Sequence, residues 1–313
     1  MTIGAHEEQW LEYRIQDYDP AVAAPVDDNV IYRLSVSYEA AEEGQKFGHV
    51  LDQFLQEPAA AQAPALVIGT WGYDDMVSGN SQQVVEALVA ARERLPKLGG
   101  LFIGDIIFEE CEVSWINQAD MSPLLAAYPQ LEHFRIRGSN GLTLGKLRHG
   151  NLRSLVIETG GLPASVIGEV ANAELPTLEH LELWLGAADY GGIDDAGPLQ
   201  ALLAQKRFLK LIYLGLRDCE IADQVAQAVA TAPILEGLDV LDLSLGNLGD
   251  EGARALLASP LVHRLKKLDI HHHYVSAGVV KALEKLGIEI EASDPKVPDH
   301  YQGEEYRFIA LSE

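Results

Sequence analysis

The chain has 313 residues, of which 48% are hydrophobic and 22% charged, and this composition is typical of a soluble globular protein with ample material for a core. Its 23 basic and 47 acidic side chains give a formal net charge of −24. Because nucleic acids and anionic membranes are bound by clustered positive charge, neither is expected as a partner.

The compartment is predicted from the cysteines and the N-terminal sequence. Cys111 and Cys219 are the only cysteines, which is too few for a disulfide framework in a chain of this length. Residues 1–18 contain acidic groups and no long apolar run, so they resemble neither a signal peptide nor a transmembrane segment. We therefore expect a cytoplasmic protein.

A fixed spacing of apolar residues recurs along the chain. Apolar residues occupy the first, fourth, sixth and eleventh positions counted from Leu211, from Leu238 and from Leu265. This is the frame of a leucine-rich repeat, in which each unit joins a short strand to a return segment that is often helical. In chain order the frame begins at residues Ile31, Ala63, Leu98, Leu131, Leu152, Leu178, Leu211, Leu238 and Leu265.

The predicted elements follow these frames. A strand is predicted at residues 11–15, and the first frame places Ile31, Leu34 and Val36 at its first, fourth and sixth positions. Each later frame begins with a strand, and a closing strand is predicted at residues 288–290. Amphipathic patterns and capping residues predict helices at residues 45–55, 81–95, 122–127, 163–175, 199–205, 222–231, 250–258 and 276–286.

Two units depart from this plan. The third contains a connection at residues 105–120, and a loop of this length in a compact fold is usually functional or covers other residues. We call it the 105–120 loop. The fourth has a glycine turn at residues 138–141 and lacks a helix. The predicted domains are an N-terminal cap at residues 1–29, a repeat domain at 30–290, and an acidic C-terminal tail at 291–313 whose last residues, 308–313, pack as a cap.

The predicted fold class is an α/β leucine-rich-repeat solenoid. Parallel strands stack about 4.8 Å apart, whereas helices with their side chains need about 10 Å each. The helical side must therefore be longer than the strand side, which predicts a horseshoe with a parallel concave β-sheet and helices on its convex side.

The concave face is the predicted binding surface. Side chains alternate along a strand, so the third, fifth and seventh positions of each frame should point away from the core. These positions are rich in aromatic, arginine, histidine and carboxylate groups, a composition found at protein interfaces; the alternative is an ordinary solvated face. The candidate binding residues are Arg135, Arg137, Glu158, Glu182, Trp184, Arg217, Asp242, Asp269 and His271.

The run His271, His272, His273 beside Asp269 raises a second hypothesis, a metal- or small-molecule-binding accessory protein. Adjacent residues of a strand point to opposite faces, so the three imidazoles should not share one ion. We expect His271 on the concave face, His272 at the strand end, and His273 turned inward to bond backbone groups of the turn. No metal site and no cofactor are predicted.

The sequence does not indicate an enzyme. It lacks a serine nucleophile elbow, a phosphate-binding glycine loop, a paired zinc motif and a dinucleotide fingerprint. Cys111 lies among Glu109, Glu110 and Glu112, a setting that disfavours a reactive thiolate. Cys219 occupies the ninth position of its frame and is expected to be structural.

Two resemblances extend these inferences. The segment LDVLDLSLGNLGDEGARALL at residues 238–257 resembles ribonuclease-inhibitor-type leucine-rich repeats. The whole chain is similar to an uncharacterised family of bacterial leucine-rich proteins. The motifs that carry this similarity are GDI…EECEVSW at residues 104–115, GGLP at 160–163, EHLELWLG at 179–186 and HHHY at 271–274.

The repeat subclass consists of protein-binding scaffolds, so the resemblance implies a protein interface on the concave face or its rim. The chain departs from the subclass at the ninth position of the frame, where asparagine is expected. The residues found there are Ser139, Gly160, Gly186, Gly246 and His273, and only Cys219 conforms. A regular asparagine ladder is therefore not expected.

The resulting prediction is a non-catalytic scaffold or adaptor that binds another protein through the concave face and the 105–120 loop. The acidity has two interpretations, solubility or attraction of a basic partner; under the second, the partner is basic or carries a basic patch. The sequence makes no prediction of oligomeric state.

Overall fold

The computed structural model describes residues 3–311, which form two compact units. We call residues 3–158 the N-terminal unit and residues 159–311 the C-terminal unit. The boundary between them falls inside the predicted repeat domain.

The N-terminal unit contains a sheet in the order β1 to β7, parallel except for the hairpin of β1 and β2. Its strands are β1 (Gln9–Trp10), β2 (Tyr13–Asp17), β3 (Val30–Val36), β4 (Ala65–Trp71), β5 (Gly100–Ile103), β6 (His133–Arg137) and β7 (Ser154–Glu158). Its helices are α1 (Tyr38–Glu42), α2 (Phe47–Phe54), α3 (Tyr73–Val77), α4 (Gln82–Ala91) and α5 (Ser122–Ala127).

The C-terminal unit repeats the same alternation of parallel strand and helix and ends in a separate antiparallel hairpin. Its strands are β8 (His180–Gly186), β9 (Tyr213–Cys219), β10 (Val240–Asp242), β11 (Lys267–Asp269), β12 (Glu289–Glu291), β13 (Asp299–Tyr301) and β14 (Glu304–Tyr306). Its helices are α6 (Ala164–Ala171), α7 (Gln200–Leu203), α8 (Ala222–Val229), α9 (Asp250–Ala258) and α10 (Ala277–Leu283).

The strands pair in register, so equivalent repeat positions lie side by side. In the C-terminal unit the fourth-position residues Leu181, Leu214, Leu241 and Leu268 are aligned from β8 to β11, and each is 0% exposed. Burial of one leucine side chain contributes about 1.5 to 3 kcal/mol. This inward ladder confirms the repeat frame, and each unit has the α/β leucine-rich-repeat fold.

The first frame was placed wrongly by two residues. Tyr32 pairs with Leu66 and Leu34 pairs with Ile68, so Leu34 occupies the sixth position and the frame begins at Asn29. The reason is that β3 is buried on both faces, apart from the half-buried Ser35. A strand buried on both faces shows no clear apolar alternation that could fix its register.

The predicted helices at residues 122–127 and 250–258 match α5 and α9, whereas the other predicted helices are shorter in the structure. In α4 and α10 the reason is that the last predicted turn is a 3-10 helix. Helix α4, for example, ends at Ala91 and continues as a 3-10 turn over Arg92–Arg94. The described chain between β6 and β7 has no helix, as predicted. The strand predicted at residues 11–15 begins instead at Tyr13, because Leu11 and Glu12 have positive φ and form the β1–β2 turn.

The closing strand is confirmed as β12, and Ile309, Ala310 and Leu311 in the tail are buried. The rest of the predicted C-terminal cap, residues 312–313, lies outside the described residues, as do residues 1–2 of the N-terminal cap. In the described range, no helix is long and apolar enough to cross a membrane.

Two ninth-position glycines form a close backbone contact in the C-terminal unit. Gly186 has φ +65°, its neighbour Ala187 donates its N–H to Gly160 O at 2.8 Å, and a Cβ on Gly186 would overlap Gly160 O. Glycine therefore takes the place of the usual asparagine because no side chain fits between these backbones.

We predict that Gly186→Ala lowers the free energy of unfolding by about 2 kcal/mol or more, from left-handed strain plus steric overlap. Urea denaturation measures the change. The matched control is Gly168→Ala, inside α6, where an added Cβ meets no atom within 4 Å; it should stabilise by about 0.5 to 1 kcal/mol. Equal effects of the two substitutions would contradict the assigned backbone contact.

Candidate functional site

The third, fifth and seventh repeat positions form one face of each sheet, which we call the front face. The structure places all nine predicted binding residues at such positions. Arg135, Arg137 and Glu158 lie in the N-terminal unit. Glu182, Trp184, Arg217, Asp242, Asp269 and His271 lie in the C-terminal unit.

In the N-terminal unit, the front-face charges are joined in a buried ion network. Glu158 accepts a hydrogen bond from Arg135 Nε at 2.6 Å and another from Arg137 Nε at 2.9 Å. The side chain of Arg137 is only 2% exposed. Since buried charges are tolerated only when they are paired, these contacts make Arg137 and Glu158 part of the folded core.

Asp105 supplies the second anion of this network. Its carboxylate is 0% exposed, 2.6 Å from Arg33 Nη1 and 3.4 Å from Arg137 Nη1. Burial alone would raise its pKa, but the hydrogen bond with His6 and the charges of Arg137 and Arg33 outweigh it, so the pKa of Asp105 is lowered. Arg135 and Arg137 also lie over the ring of Phe102, at 4.2 and 5.3 Å from its centroid.

The N-terminal segment, residues 3–10, covers this part of the front face. His6 Nδ1 lies 3.1 Å from Asp105 O, and Arg135 Nη2 donates to Glu7 Oε1 at 2.6 Å. Trp10 packs against Phe102, with ring centroids 6.0 Å apart. Trp10, Leu11 and Tyr13 together cover an apolar cluster of Ile15, Ile31, Ala65, Val67 and Phe102.

The 105–120 loop is packed onto the N-terminal unit. Cys111 and Ile116 are among its buried apolar side chains, and Asn117 and Asp120 form parallel bridges with Asn140 and Thr143. Its most exposed aromatic residue is Trp115, 56% accessible, and Phe108 is 38% exposed. The loop therefore covers part of the unit while presenting aromatic side chains to solvent.

The C-terminal unit has a different front face, centred on Glu182. Trp184 Nε1 and Arg217 Nη1 each donate to Glu182 Oε1 at 2.7 Å. Burial opposes ionisation of this carboxyl, but the hydrogen bonds from His180, Trp184 and Arg217, together with the charge of Arg217, lower its pKa to about 2. Glu182 is therefore an anion that fixes the positions of three neighbouring side chains.

Tyr213 links two carboxylates on this face. Its hydroxyl donates to Asp242 Oδ2 at 2.7 Å and lies 3.2 Å from Glu182 Oε2. Gly215 leaves space between these side chains, because a Cβ there would make tight contacts, 3.1 Å from Glu182 Cγ and 3.2 Å from the Tyr213 ring. Burial, then the nearby carboxylates, raise the pKa of Tyr213, so it remains a neutral donor.

Partly exposed rings and charges surround these anions. The His180 ring stacks on Tyr213, with centroids 4.0 Å apart and an interplanar angle of 8°. The guanidinium of Arg217 lies 5.2 Å from the centroid of the Trp184 ring. These four side chains are half-buried and reach the surface. We call the set His180, Glu182, Trp184, Tyr213, Arg217 and Asp242 the C-terminal network.

Asp269 forms a smaller cluster on β11 beside this network. It contacts Lys267 Nζ at 3.0 Å and His271 Nδ1 at 2.7 Å. Burial alone would raise the pKa of Asp269, but the hydrogen bonds with His271 and Lys267 outweigh this effect, so the pKa is lowered. Lys267 and His271 are each 30% exposed and continue the polar surface.

The histidine run is arranged as predicted. His271 is on the front face, His272 follows the strand with φ 58°, and His273 is 1% exposed. His273 Nδ1 accepts from Val275 N at 3.0 Å and its Nε2 lies 3.1 Å from Ala292 O. The three imidazoles thus have separate partners, and the described residues contain no group of three or more side chains suited to hold a metal.

The chemistry of the two cysteines also follows from burial. Both are free and buried. Burial, with Glu112 and Glu110 nearby, raises the pKa of Cys111 to about 11, and burial raises that of Cys219 to about 12. Neither thiol is therefore activated as a nucleophile at neutral pH.

Several members of these clusters lie at positions that the sequence placed on the concave face but were not chosen as binding residues. His180, Tyr213 and Lys267 occupy third positions of their frames but were not among the nine candidates. Their signal was the shared repeat position, which places them beside Glu182 and Asp269. An N-terminal cap was predicted, but its contacts on the front face had no sequence signal, since Glu7 and Arg135 are 128 residues apart.

The repeated strand–helix units and the in-register ladder define a leucine-rich-repeat protein. Comparison with solved structures then shows its family. A protein from Bacteroides fragilis, a Northeast Structural Genomics Consortium target, is 35% identical, with 90% of this chain and 77% of that chain covered and a TM-score of 0.80. The chain belongs to the same family as this Bacteroides protein.

A second solved structure is an internalin (inlF) from Listeria monocytogenes. It is 16% identical, with 77% of this chain and 56% of that chain covered and a TM-score of 0.38. No family model and no curated protein matches the chain.

The anchoring of residues 3–10 leads to a pH prediction. Hydrogen bonds to Asp105 and Glu110 raise the pKa of His6 from 6.5 to about 9. The stabilisation by protonated His6 is complete below about pH 6.5 and is lost as pH rises through about 9. We expect the free energy of unfolding, measured by urea denaturation, to fall by about 1 kcal/mol more in the wild type than in His6→Gln over this range.

The matched control for this prediction is His300→Gln, at an exposed position of β13. Its pH profile should follow that of the wild type. Parallel profiles for the wild type and His6→Gln would show that His6 does not anchor the segment.

Proposed function

We propose that the protein is a non-catalytic scaffold or adaptor that binds another protein through the front face of its C-terminal unit. The observation that carries this proposal is the C-terminal network, where Trp184, Tyr213 and Arg217 are held by shared carboxylates yet reach the surface. Tryptophan, tyrosine and arginine are the residues most enriched among interface hot spots.

Preorganisation strengthens the case for binding. A side chain that is immobilised on association costs about 0.5 to 1.5 kcal/mol of conformational entropy. Trp184 and Arg217 are already fixed by Glu182, and Tyr213 by Asp242 and the stacked His180 ring. A partner that contacts them therefore avoids much of this cost.

The fifth-position row supports a basic partner. Register places Asp242 beside Asp269 and Asp269 beside Glu291, while Glu182 and Asp242 flank Gly215. Like charges on neighbouring strands are destabilising, and Arg217 and Lys267 compensate only part of this row. A lysine or arginine of the partner would relieve the remaining repulsion, and the net charge of −24 would speed its approach.

The two units have different roles in this proposal. Glu158 pairs with both Arg135 and Arg137. Arg135 also pairs with Glu7, and Arg137 with Asp105. We therefore assign these residues to the stability of the N-terminal unit. Trp115 is the side chain through which the 105–120 loop would take part in binding, because it is the loop's most exposed aromatic residue. Glu182, Trp184, Arg217, Asp242, Asp269 and His271 remain the proposed partner-binding residues.

Two finer assignments belong to the same proposal. The helix after each of β9, β10 and β11 supports repeats of the ribonuclease-inhibitor type, whose units contain a full helix. The two free cysteines support a reducing, cytoplasmic location.

We predict that Trp184→Ala with Glu291→Ala reduces the amount of partner captured at least tenfold, because it removes an aromatic anchor and one carboxylate of the fifth-position row that a basic partner would contact. The measurement is quantitative affinity capture from a lysate of the source organism, followed by mass spectrometry. Capture by the wild type should also weaken with added salt, since it depends on charge.

The control pair is Leu209→Ala with Arg254→Ala, which changes exposed side chains of the same unit away from the front face; Leu209 is 85% exposed and the Arg254 side chain 61%. It should capture the same proteins as the wild type. If the front-face pair, with unchanged thermal stability, also retains them, the proposed surface is wrong. Trp115→Ala tests the 105–120 loop in the same assay.

A further inference from the structure

A second interaction surface lies at the ends of the strands in the C-terminal unit. Asp218, Leu245 and His272 each occupy the eighth position of a repeat, and each has a left-handed backbone with φ of 49°, 66° and 58°. Residues other than glycine rarely adopt this conformation without a compensating contact. In all three cases the contact is with the same segment, residues 307–311, which we call the strap.

The strap is bound largely through its backbone. Ala310 N donates to Leu245 O at 2.7 Å and Leu311 N donates to Asp218 Oδ1 at 2.8 Å. Phe308 O lies 3.2 Å from His272 Nε2, and the Tyr274 hydroxyl contacts Phe308 N and O at 2.8 and 3.1 Å. Backbone hydrogen bonds of this kind give affinity for any extended segment, and side-chain pockets give the specificity.

The burial of the strap also shows which side chains a bound segment needs. Ile309, Ala310 and Leu311 are 8%, 3% and 3% exposed, so three consecutive apolar residues are buried. Phe308, in contrast, is 58% exposed and contributes its backbone. The sequence that fits is therefore an extended segment with apolar residues at its end.

A basic residue precedes the apolar ones. The Arg307 guanidinium lies 3.7 Å from Asp223 Oδ2 and 5.7 Å from the centroid of the Tyr274 ring. Asp223 is held in place by Gly249 N and Gly252 N, at 2.9 and 2.8 Å. A Cβ on Gly249 would overlap Arg307 Nη1, so glycine there leaves room for the arginine.

The strap does not fill the surface completely. Beside Arg307 there is an open cavity of about 320 Å³ whose lining includes Glu220, Asp223 and Asn247. Asp218 is 0% exposed, and its Oδ2 has no hydrogen-bond partner. Burial raises the pKa of this carboxyl to about 8. The cavity, which Asp218 does not line, has room and acidic groups for a further basic residue of a ligand.

The strap is attached to the unit in a way that would let another peptide replace it. It follows β13 and β14, a two-stranded hairpin whose residues are all exposed. Isolated two-stranded hairpins are at best marginally stable, so the strap is tied to the unit by a weakly held arm.

We propose that these strand-end turns form a docking groove for an extended peptide of a partner protein, with basic residues followed by a short apolar stretch. The chain's own strap occupies this groove as an exchangeable intramolecular ligand. The groove is separate from the front face. A result that disproves peptide binding in the groove would therefore leave the proposed partner binding on the front face untouched, and the reverse also holds.

The direct test uses a fluorescent peptide with the sequence of residues 304–311, EEYRFIAL, and the full chain carrying Ile309→Asp with Leu311→Asp to displace the strap. Fluorescence anisotropy should show saturable binding to this variant at least tenfold tighter than to the wild type, whose strap competes at an effective concentration on the order of 1 mM. A peptide with arginine changed to glutamate should bind at least tenfold more weakly. Adding Gly249→Leu to the variant should have a similar effect.

No saturable binding to the displaced-strap variant up to about 1 mM peptide would overturn the proposal. Because that variant could lose local structure, amide hydrogen exchange of the wild type provides a second test. The amides of Ala310 and Leu311 should exchange at least 100-fold faster than those of Leu214 and Leu216 in β9, since the strap opens locally. Equal protection would identify the strap as a fixed part of the core.

Discussion

In-register pairing of parallel strands is the constraint on which the rest of the structure depends. Neighbouring strands lie about 4.8 Å apart, so a residue at one repeat position contacts the residue at the same position of the next repeat. Inward positions must then be apolar in every repeat, as they are from Leu181 to Leu268. Charged front-face groups such as Asp242 and Asp269 are likewise brought side by side and must be neutralised by their neighbours.

Each of the two units neutralises its front-face charges in a different way. In the N-terminal unit, Arg135 and Arg137 share Glu158, and residues 3–10 add Glu7 and cover the apolar cluster around Phe102. In the C-terminal unit the carboxylates are neutralised by side chains that still reach solvent. A charged residue at a front-face position is therefore evidence for binding only where nothing covers it, which separates the nine predicted residues into structural and binding groups.

Most of the architecture followed from the sequence because the leucine spacing fixes both the strand positions and the direction of each side chain. The ninth position of the frame placed His273 inward at the turn, and alternation placed His271 on the front face. Alternation did not set the register of β3, which is buried on both faces. The sequence predicted caps at both ends of the repeat domain but not the contacts of the cover or the strap. These contacts join distant residues, 128 apart for Glu7 and Arg135 and 93 apart for Asp218 and Leu311.

The most direct test of the central claim is site-specific photo-cross-linking from the front face of the C-terminal unit. A benzophenone amino acid placed at position 240 or 267 in the native host should cross-link to a partner protein, whereas the same amino acid at position 254, on α9, should not. Positions 240 and 267 are half-buried front-face positions, and Arg254 is exposed outside this face. Cross-links from position 254 to the same partner, with none from positions 240 and 267, would contradict the account.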